Sequence, residues 1–252
     1  NRDVLDYKEN SFGATPISKF DYTVNSMGRR SGLAESGSAY SSLPSVAWGY
    51  NSRGEVTLHD HTTPAYESVY EFDTIGNRTK SAGGTSLPGS HNHAVNSRNQ
   101  YTTISGVNPA YDDDGNLTND AGGNTHGSAR TYQWDAENQL RQVSSGAVAE
   151  YRYDPYGRRI SKTTGGSTTW FLYDGWNLIA EYQSGTLTRT HLWGLDLSGT
   201  TQGAGGVGGL LCTSIGGTKY YPLYDGNGNI CQYLDGSGGI AAHYEYSPFG
   251  HL

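Results

Sequence analysis

Helix-forming and membrane-crossing stretches are what this sequence most lacks. Its 252 residues include one Met, and Ala, Leu and Lys are too thinly spread to build helices. No apolar run approaches the ~18 residues that would cross a bilayer, so no membrane span is expected, and no signal peptide is visible at the N-terminus. Basic residues are scarce: 17 Lys and Arg against 24 Asp and Glu leave a net charge of −7 without any basic cluster. Nucleic acid would find no electrostatic footprint here and is not expected as a partner. There are only two cysteines, Cys212 and Cys231. Their separation is about one period of the pattern described below, which would allow a disulfide between neighbouring hairpins; free, half-buried thiols are the alternative. Only 34% of residues are hydrophobic, too few for a filled core, which points to walls one residue thick around a hollow. A flat β-solenoid would use similar residues.

What is abundant is Gly, at 36 residues, and Tyr, at 20. In Tyr151-Arg152-Tyr153-Asp154-Pro155-Tyr156-Gly157-Arg158-Arg159-Ile160, two rings alternate with charged residues, the period of a half-buried strand. Asp154, Pro155 and Gly157 then occupy the positions that a type I turn leading into a bulge prefers. The chain reverses, runs back through Lys162, and reverses again at Thr164-Gly165-Gly166-Ser167, so one copy is one β-hairpin. Aligned on the aromatic before the turn, copies recur at Tyr22, Tyr50, Phe72, Tyr111, Trp134, Tyr153, Tyr173, Tyr224 and Tyr246, with turn residues such as Asp154, Gly157, Asp174, Asp225 and Gly250 following. The basic period is about twenty residues, and degenerate copies fill the two long gaps, at Val95-Asn96 and around Leu192-Trp193-Gly194. The expectation is an all-β array of antiparallel hairpins forming a curved ribbon or spiral wall, one continuous domain over 1–252, with irregular loops at 81–110 and 201–219.

These tyrosine–aspartate units resemble the YD repeats of bacterial Rhs proteins, of related insecticidal toxin-complex shells and of animal teneurins. Tyr173-Asp174-Gly175-Trp176-Asn177, Leu192-Trp193-Gly194, Tyr224-Asp225-Gly226-Asn227-Gly228-Asn229 and Tyr244-Glu245-Tyr246-Ser247-Pro248-Phe249-Gly250 look like the distal part of an Rhs core. The resemblance implies a structural, non-enzymatic shell segment, exported as part of a larger protein and secreted or held at the cell surface. Its implied partners are the rest of its own shell, further copies of itself through open strand edges, and an enclosed toxin. The family's core ends in a further tyrosine-rich block and a self-cleavage segment, neither reached by Leu252, and the sequence starts in mid-pattern, which suggests a piece of a longer chain. An extracellular fibre or an adhesion module that binds protein or surface glycan through Trp170, Trp176 and Trp193 is the alternative.

Motifs for chemistry are few, and no cofactor, metal or catalytic residue is assigned. Gly203-Ala204-Gly205-Gly206-Val207-Gly208 spells a dinucleotide fingerprint, but nothing before it is a parallel strand and nothing after it opens a helix, so a loop or tight corner is expected. His59-Asp60-His61 and His91-Asn92-His93 each put two imidazoles on one strand face, short of the three or four ligands a metal needs, and exposed polar positions are expected. Asp112-Asp113-Asp114-Gly115-Asn116 fails the EF-hand spacing. There is no Gly-x-Ser-x-Gly elbow.

Overall fold

The computed structural model describes residues 4–83, 87–122 and 128–250. Twenty-two strands follow one another: β1 Tyr7–Phe12, β2 Thr15–Val24, β3 Arg30–Ser36, β4 Ser45–Tyr50, β5 Val56–His61, β6 Ser68–Phe72, β7 Arg78–Gly83, β8 Leu87–Val95, β9 Tyr101–Ile104, β10 Ala110–Tyr111 and β11 Leu117–Asn119. The second half continues with β12 Thr131–Trp134, β13 Leu140–Ser145, β14 Ala147–Tyr153, β15 Arg159–Thr164, β16 Ser167–Asp174, β17 Asn177–Gln183, β18 Thr186–Trp193, β19 Leu210–Ile215, β20 Thr218–Tyr224, β21 Ile230–Leu234 and β22 Ile240–His243. They form two sheets, β1 to β9 and β10 to β22, each in strict chain order. Among the described residues the one helical element is a single 3-10 turn at Pro64–Tyr66. The fold is all-β, as the period-two alternation requires.

The hairpin β14–β15 shows why the sequence folds this way. Arg152 pairs with Ser161, but the next residue, Tyr153, pairs with Arg159, so one residue is bulged out beside the turn. Asp154 N donates to Arg158 O (3.0 Å), Gly157 N donates to Asp154 O (3.0 Å), and Gly157 takes φ of 79°. This is the type I turn with a left-handed closing residue that Asp-Pro-x-Gly suits. The same anchor-to-sixth-residue pairing recurs as Phe72 with Arg78, Trp134 with Leu140 and Tyr224 with Ile230. At the far end of several hairpins the reversal is shorter, as at Gly165-Gly166 and Gly216-Gly217.

Both expected loops contain strands. Within 81–110, β8 and β9 pair as His93 with Ile104 and Val95 with Tyr101, and the reversal is the ordinary turn Asn96–Gln100. The pattern was hard to read because Asn stands in place of Asp at the turn's head and again, as Asn99 with φ of 60°, in place of Gly. Within 201–219, only the segment up to Gly209 is loop; Leu210–Ile215 and the start of β20 form a hairpin, and glycine at 216 and 217 marks its turn rather than irregularity.

The described chain divides into two compact units, one of residues 1–49, 59–63 and 171–252 and one of 50–58 and 64–170. Nearly fully buried apolar residues are few, with Ile17, Phe20, Val46 and Leu234 in the first unit and Tyr70 in the second. Among the described residues twelve buried polar ones, Ser18, Ser161 and Gln232 included, outnumber the eight buried hydrophobic ones, so hydrogen bonding carries much of the interior.

Candidate functional site: stapled and stacked turns

The turns headed by Asp or Asn are closed by that first side chain. Asp154 Oδ1 accepts from Tyr156 N (2.9 Å) and Arg158 N (3.0 Å), satisfying two amides that the bulge would leave without strand partners. Asn25, Asn51, Asp73, Asn96, Asp135, Asp225 and Asp235 repeat the pattern of bonds to the second and fourth residues beyond, at 2.8–3.1 Å. Asp235, in Leu234-Asp235-Gly236-Ser237-Gly238-Gly239, escapes an aromatic-led reading because Leu stands before it. Hydrogen bonds from Asn77 hold the Asp73 carboxyl below its ordinary range, and those from Ser237 do so for Asp235. At Asp112 and Asp154 partial burial pushes upward, but Asn116, Arg158 and the turn amides together outweigh it.

In the second unit the turns form a column. The fifth residue of one meets the fourth of the next: Asn77 Nδ2 donates to Asn99 Oδ1 (3.3 Å), and Asn116 Nδ2 to Asn138 Oδ1 (2.8 Å). Where the fourth residue is glycine, the preceding turn's long side chain lies over it. Glu55, Gln100 and Gln139 reach within 3.2, 3.4 and 3.6 Å of where a Cβ on Gly76, Gly115 and Gly157 would stand. Arg53 also donates to the carbonyl of Asp73.

The aromatic anchors add a second set of staples. Tyr153 Oη donates to Leu140 O (2.9 Å) and Trp134 Nε1 to Leu117 O (2.8 Å), and Tyr111 is bonded to the Tyr101 backbone. In the first unit Trp193 Nε1 donates to Leu178 O (2.6 Å), Tyr224 Oη to Leu210 O (2.6 Å) and Tyr246 Oη to Ile230 O (2.8 Å). In most of these the acceptor is the first strand residue after the preceding turn, so each copy is fastened to the one before it. Burial pushes the Tyr153, Tyr224 and Tyr246 hydroxyls up, keeping them protonated donors.

Three sequence assignments change. Tyr22 stands two residues before the anchor position, which Val24 occupies by pairing with Arg30; its hydroxyl instead accepts from Gly226 N (2.8 Å). Asp174 does not head a turn. It ends β16, and the chain reverses at Gly175-Trp176 alone, with Gly175 at φ of 56°, while Gln202 donates to the Asp174 carbonyl (2.8 Å). His59, His61 and His91 are buried rather than exposed, and His93 is half-buried: the rings of His59 and His61 lie 6.0 Å apart with Trp48 against His59, and His93 bonds Ser81 Oγ (3.0 Å). Burial lowers the His93 imidazole's proton affinity. Tyr50 and Phe72 precede the turns headed by Asn51 and Asp73, and Gly250 donates to Ser247 O (2.9 Å) to close the last turn. Both cysteines are free thiols, Cys212 half-buried and Cys231 buried.

The Gly-rich fingerprint folds around its own anion. Asp196, itself the head of a turn, accepts from Ala204 N (2.6 Å) and Gly206 N (3.1 Å), the amides a phosphate would need. Hydrogen bonds from Ser198 first, then from these amides, hold the Asp196 carboxyl down at about 2. Trp176 and Trp170 are exposed, whereas Trp193 is a wall residue. Among the described residues no three His, Cys, Asp or Glu side chains are grouped to hold a metal ion. No helix among them is long and apolar enough to cross a membrane.

The profile of the Teneurin YD-shell family matches residues 38–252. The chain belongs to this family. As a YD-shell chain it is also similar to the tRNA3(Ser)-specific nuclease WapA of Bacillus spizizenii, 31% identical over 106 residues, and to the tRNA nuclease WapA of Bacillus subtilis strain 168, 28% identical over 106. Each match takes in 41% of this chain and 4% of the relative, so this YD-shell chain spans a small part of those proteins. Among solved structures it resembles TcdB2-TccC3 without its hypervariable C-terminal region, with a TM-score of 0.54 at 15% identity over 92% of this chain and 15% of that one. The TcdB2-TccC3-Cdc42 structure gives 0.54 at 14% identity, over 94% and 15%. At such identity these likenesses are likenesses of fold.

Proposed function

We propose that the chain is a structural wall segment of a YD-repeat shell, one array that does no chemistry itself and belongs to an exported protein. The observation that carries this reading is the double stapling: Asp and Asn side chains close the turns they head, and six of the anchor rings bind their copy to its predecessor. Such a wall resists local opening without a thick apolar core, which suits a container whose inside must stay free for cargo. Its partners on this reading are the remainder of the shell and an enclosed toxin. The nuclease activity named for the WapA relatives belongs to proteins of which this chain matches 4%, and it is compatible with a wall that carries an active domain elsewhere.

The test is protease protection in the full-length parent protein. A folded segment outside residues 1–252 that survives digestion until the wall is weakened by Trp134→Phe and Tyr153→Phe supports the reading. Equal digestion of that segment before and after weakening overturns it. Trp176, 61% exposed at a hairpin tip, favours a second role in stacking against sugars. A glycan array on which binding vanishes with Trp176→Ala would establish that role.

A further inference from the structure

Between β9 and β10 the ladder of strands is interrupted: the two are consecutive, yet they end separate sheets. Elsewhere the same part of a copy is filled by paired strands, as where Gln142 to Ser145 pair with Ala147 to Glu150. Here the outer edge of β9 makes one bridge among the described residues, in which Ile104 N donates to Val107 O (2.8 Å) and Val107 N to Ile104 O (3.0 Å). Past that bridge Pro109 has no N–H to give, and the two segments part. At the turn end they are rejoined, since Tyr111 is bonded to the Tyr101 backbone and Gln100 lies over Gly115. A cleft of about 540 Å³ is left between these fastenings.

Its lining is polar, and only part of it is used by the fold. Asn96 and Asp112 accept from the amides of their own turns, and Thr103 Oγ1 donates to Asn108 Oδ1 (3.2 Å). The Tyr101 hydroxyl accepts from Arg78 N (3.2 Å), so this ring and that of Tyr111 are pinned by their polar tips while both line the cleft. Two charged groups are left over. Among the described residues no hydrogen bond or ion pair engages the side chains of Arg98 and Asp113, which are exposed. Gln100 Nε2 and Asn108 Nδ2 likewise keep donors to give, their oxygens being taken by Asn96 and Thr103.

We propose that this cleft binds the end of a neutral glycan. A guanidinium, a carboxylate and two carboxamide nitrogens set donors beside acceptors, which is what neighbouring sugar hydroxyls, each able to give and accept, require. The two tyrosine rings offer apolar surface to the C–H side of a sugar. Arg98 is outnumbered by Asp112 and Asp113, so a phosphate or sulfate would find no excess of positive charge. A peptide strand would find little ladder, because β10 is two residues long and follows Pro109. The volume lies within the roughly 300–1,000 Å³ of small-ligand sites, and fastening at both ends fixes the cleft before a ligand arrives. The site stands apart from the wall role and from Trp176, which belongs to the other unit.

Saturation-transfer NMR on the 252-residue chain with maltose, lactose and chitobiose tests this, and transfer to at least one of the three is expected. For that sugar Arg98→Ala and Asp113→Ala should each raise the dissociation constant about tenfold, the factor that loss of one charge-assisted hydrogen bond implies. Trp176→Ala should leave it unchanged. Transfer to none of the three, or a constant that neither cleft variant moves, overturns the site; so does binding lost with Trp176→Ala alone. Should the cleft variants fail to fold, backbone amide shifts of the unaltered chain decide instead. Changes confined to residues 96–113 on titration with the sugar support the proposal, and changes only elsewhere overturn it.

Discussion

The fourth residue of each turn is the position where backbone and side chain make incompatible demands, and the two solutions found here show which demand rules. Gly157 sits at φ of 79° with room around it, since an added Cβ would meet Gln139 at an ordinary 3.6 Å. Asn99 and Asn138 hold the same place at 60° and 57° and use their side chains to accept from the neighbouring turn. Glycine is therefore required for conformation and not for space. Gly157→Asn is expected to fold with little loss, whereas Gly157→Val should lose about 1–3 kcal/mol from β-branched strain in the left-handed region. Chemical denaturation of the two variants checks this; equal midpoints would refute it. Arg158 bonds Asp154 at 2.7 Å through Nε and again through its terminal nitrogen, and lies over the Tyr156 ring. Arg158→Ala should therefore lower stability measurably as well, though less than Gly157→Val.

At the scale of the hairpin, the aromatic anchor matters through its polar tip as much as through its ring. Tyr153→Phe and Tyr224→Phe keep the ring and delete the bond to the preceding copy, leaving Leu140 O or Leu210 O without that donor. Each should cost about 1 kcal/mol, seen as a lower melting temperature with unchanged far-UV circular dichroism. Unaltered melting in both would mean that the staples contribute nothing. The turn aspartates make a second prediction. Asp73, Asp112, Asp154, Asp196 and Asp235 all titrate below their ordinary 3.8, so their stabilisation is present above that value and is lost as pH falls through the folded-state values, down to about 2 for Asp196. Asn25, Asn51 and Asn96 do the same job without titrating. Asp235→Asn should thus preserve the turn and shift the acid-unfolding midpoint to lower pH; an unshifted midpoint would count against the turns as the acid-labile element.

Across the described residues, two sheets in strict chain order leave edge strands at β1, β9, β10 and β22. A strand that ends a sheet offers backbone donors and acceptors to any further strand. The isolated 252-residue chain is expected to self-associate, with a mass by light scattering that rises with concentration. A concentration-independent monomer would show that these edges are protected.

Hairpin number, turn chemistry and the all-β class were legible in the residues, because period-two alternation and Asp-x-x-Gly spacing act within a few positions of one another. Anchor identity was only partly legible: at Tyr22 and Tyr173 the aromatic is present, but the bulge lies two residues later in one case, and Gly175 reverses the chain too early in the other. The region around Asn96, with Asn in place of Asp and Val in place of Tyr, reads as a loop, since the local signal weakens while the ladder of neighbouring strands still holds it extended. Which turns stack, why Asp196 fills its own glycine-rich loop, and how the Tyr22 hydroxyl comes to accept from Gly226 were decided by the tertiary structure alone. Those contacts join residues up to two hundred positions apart, and no spacing rule within a repeat reaches that far.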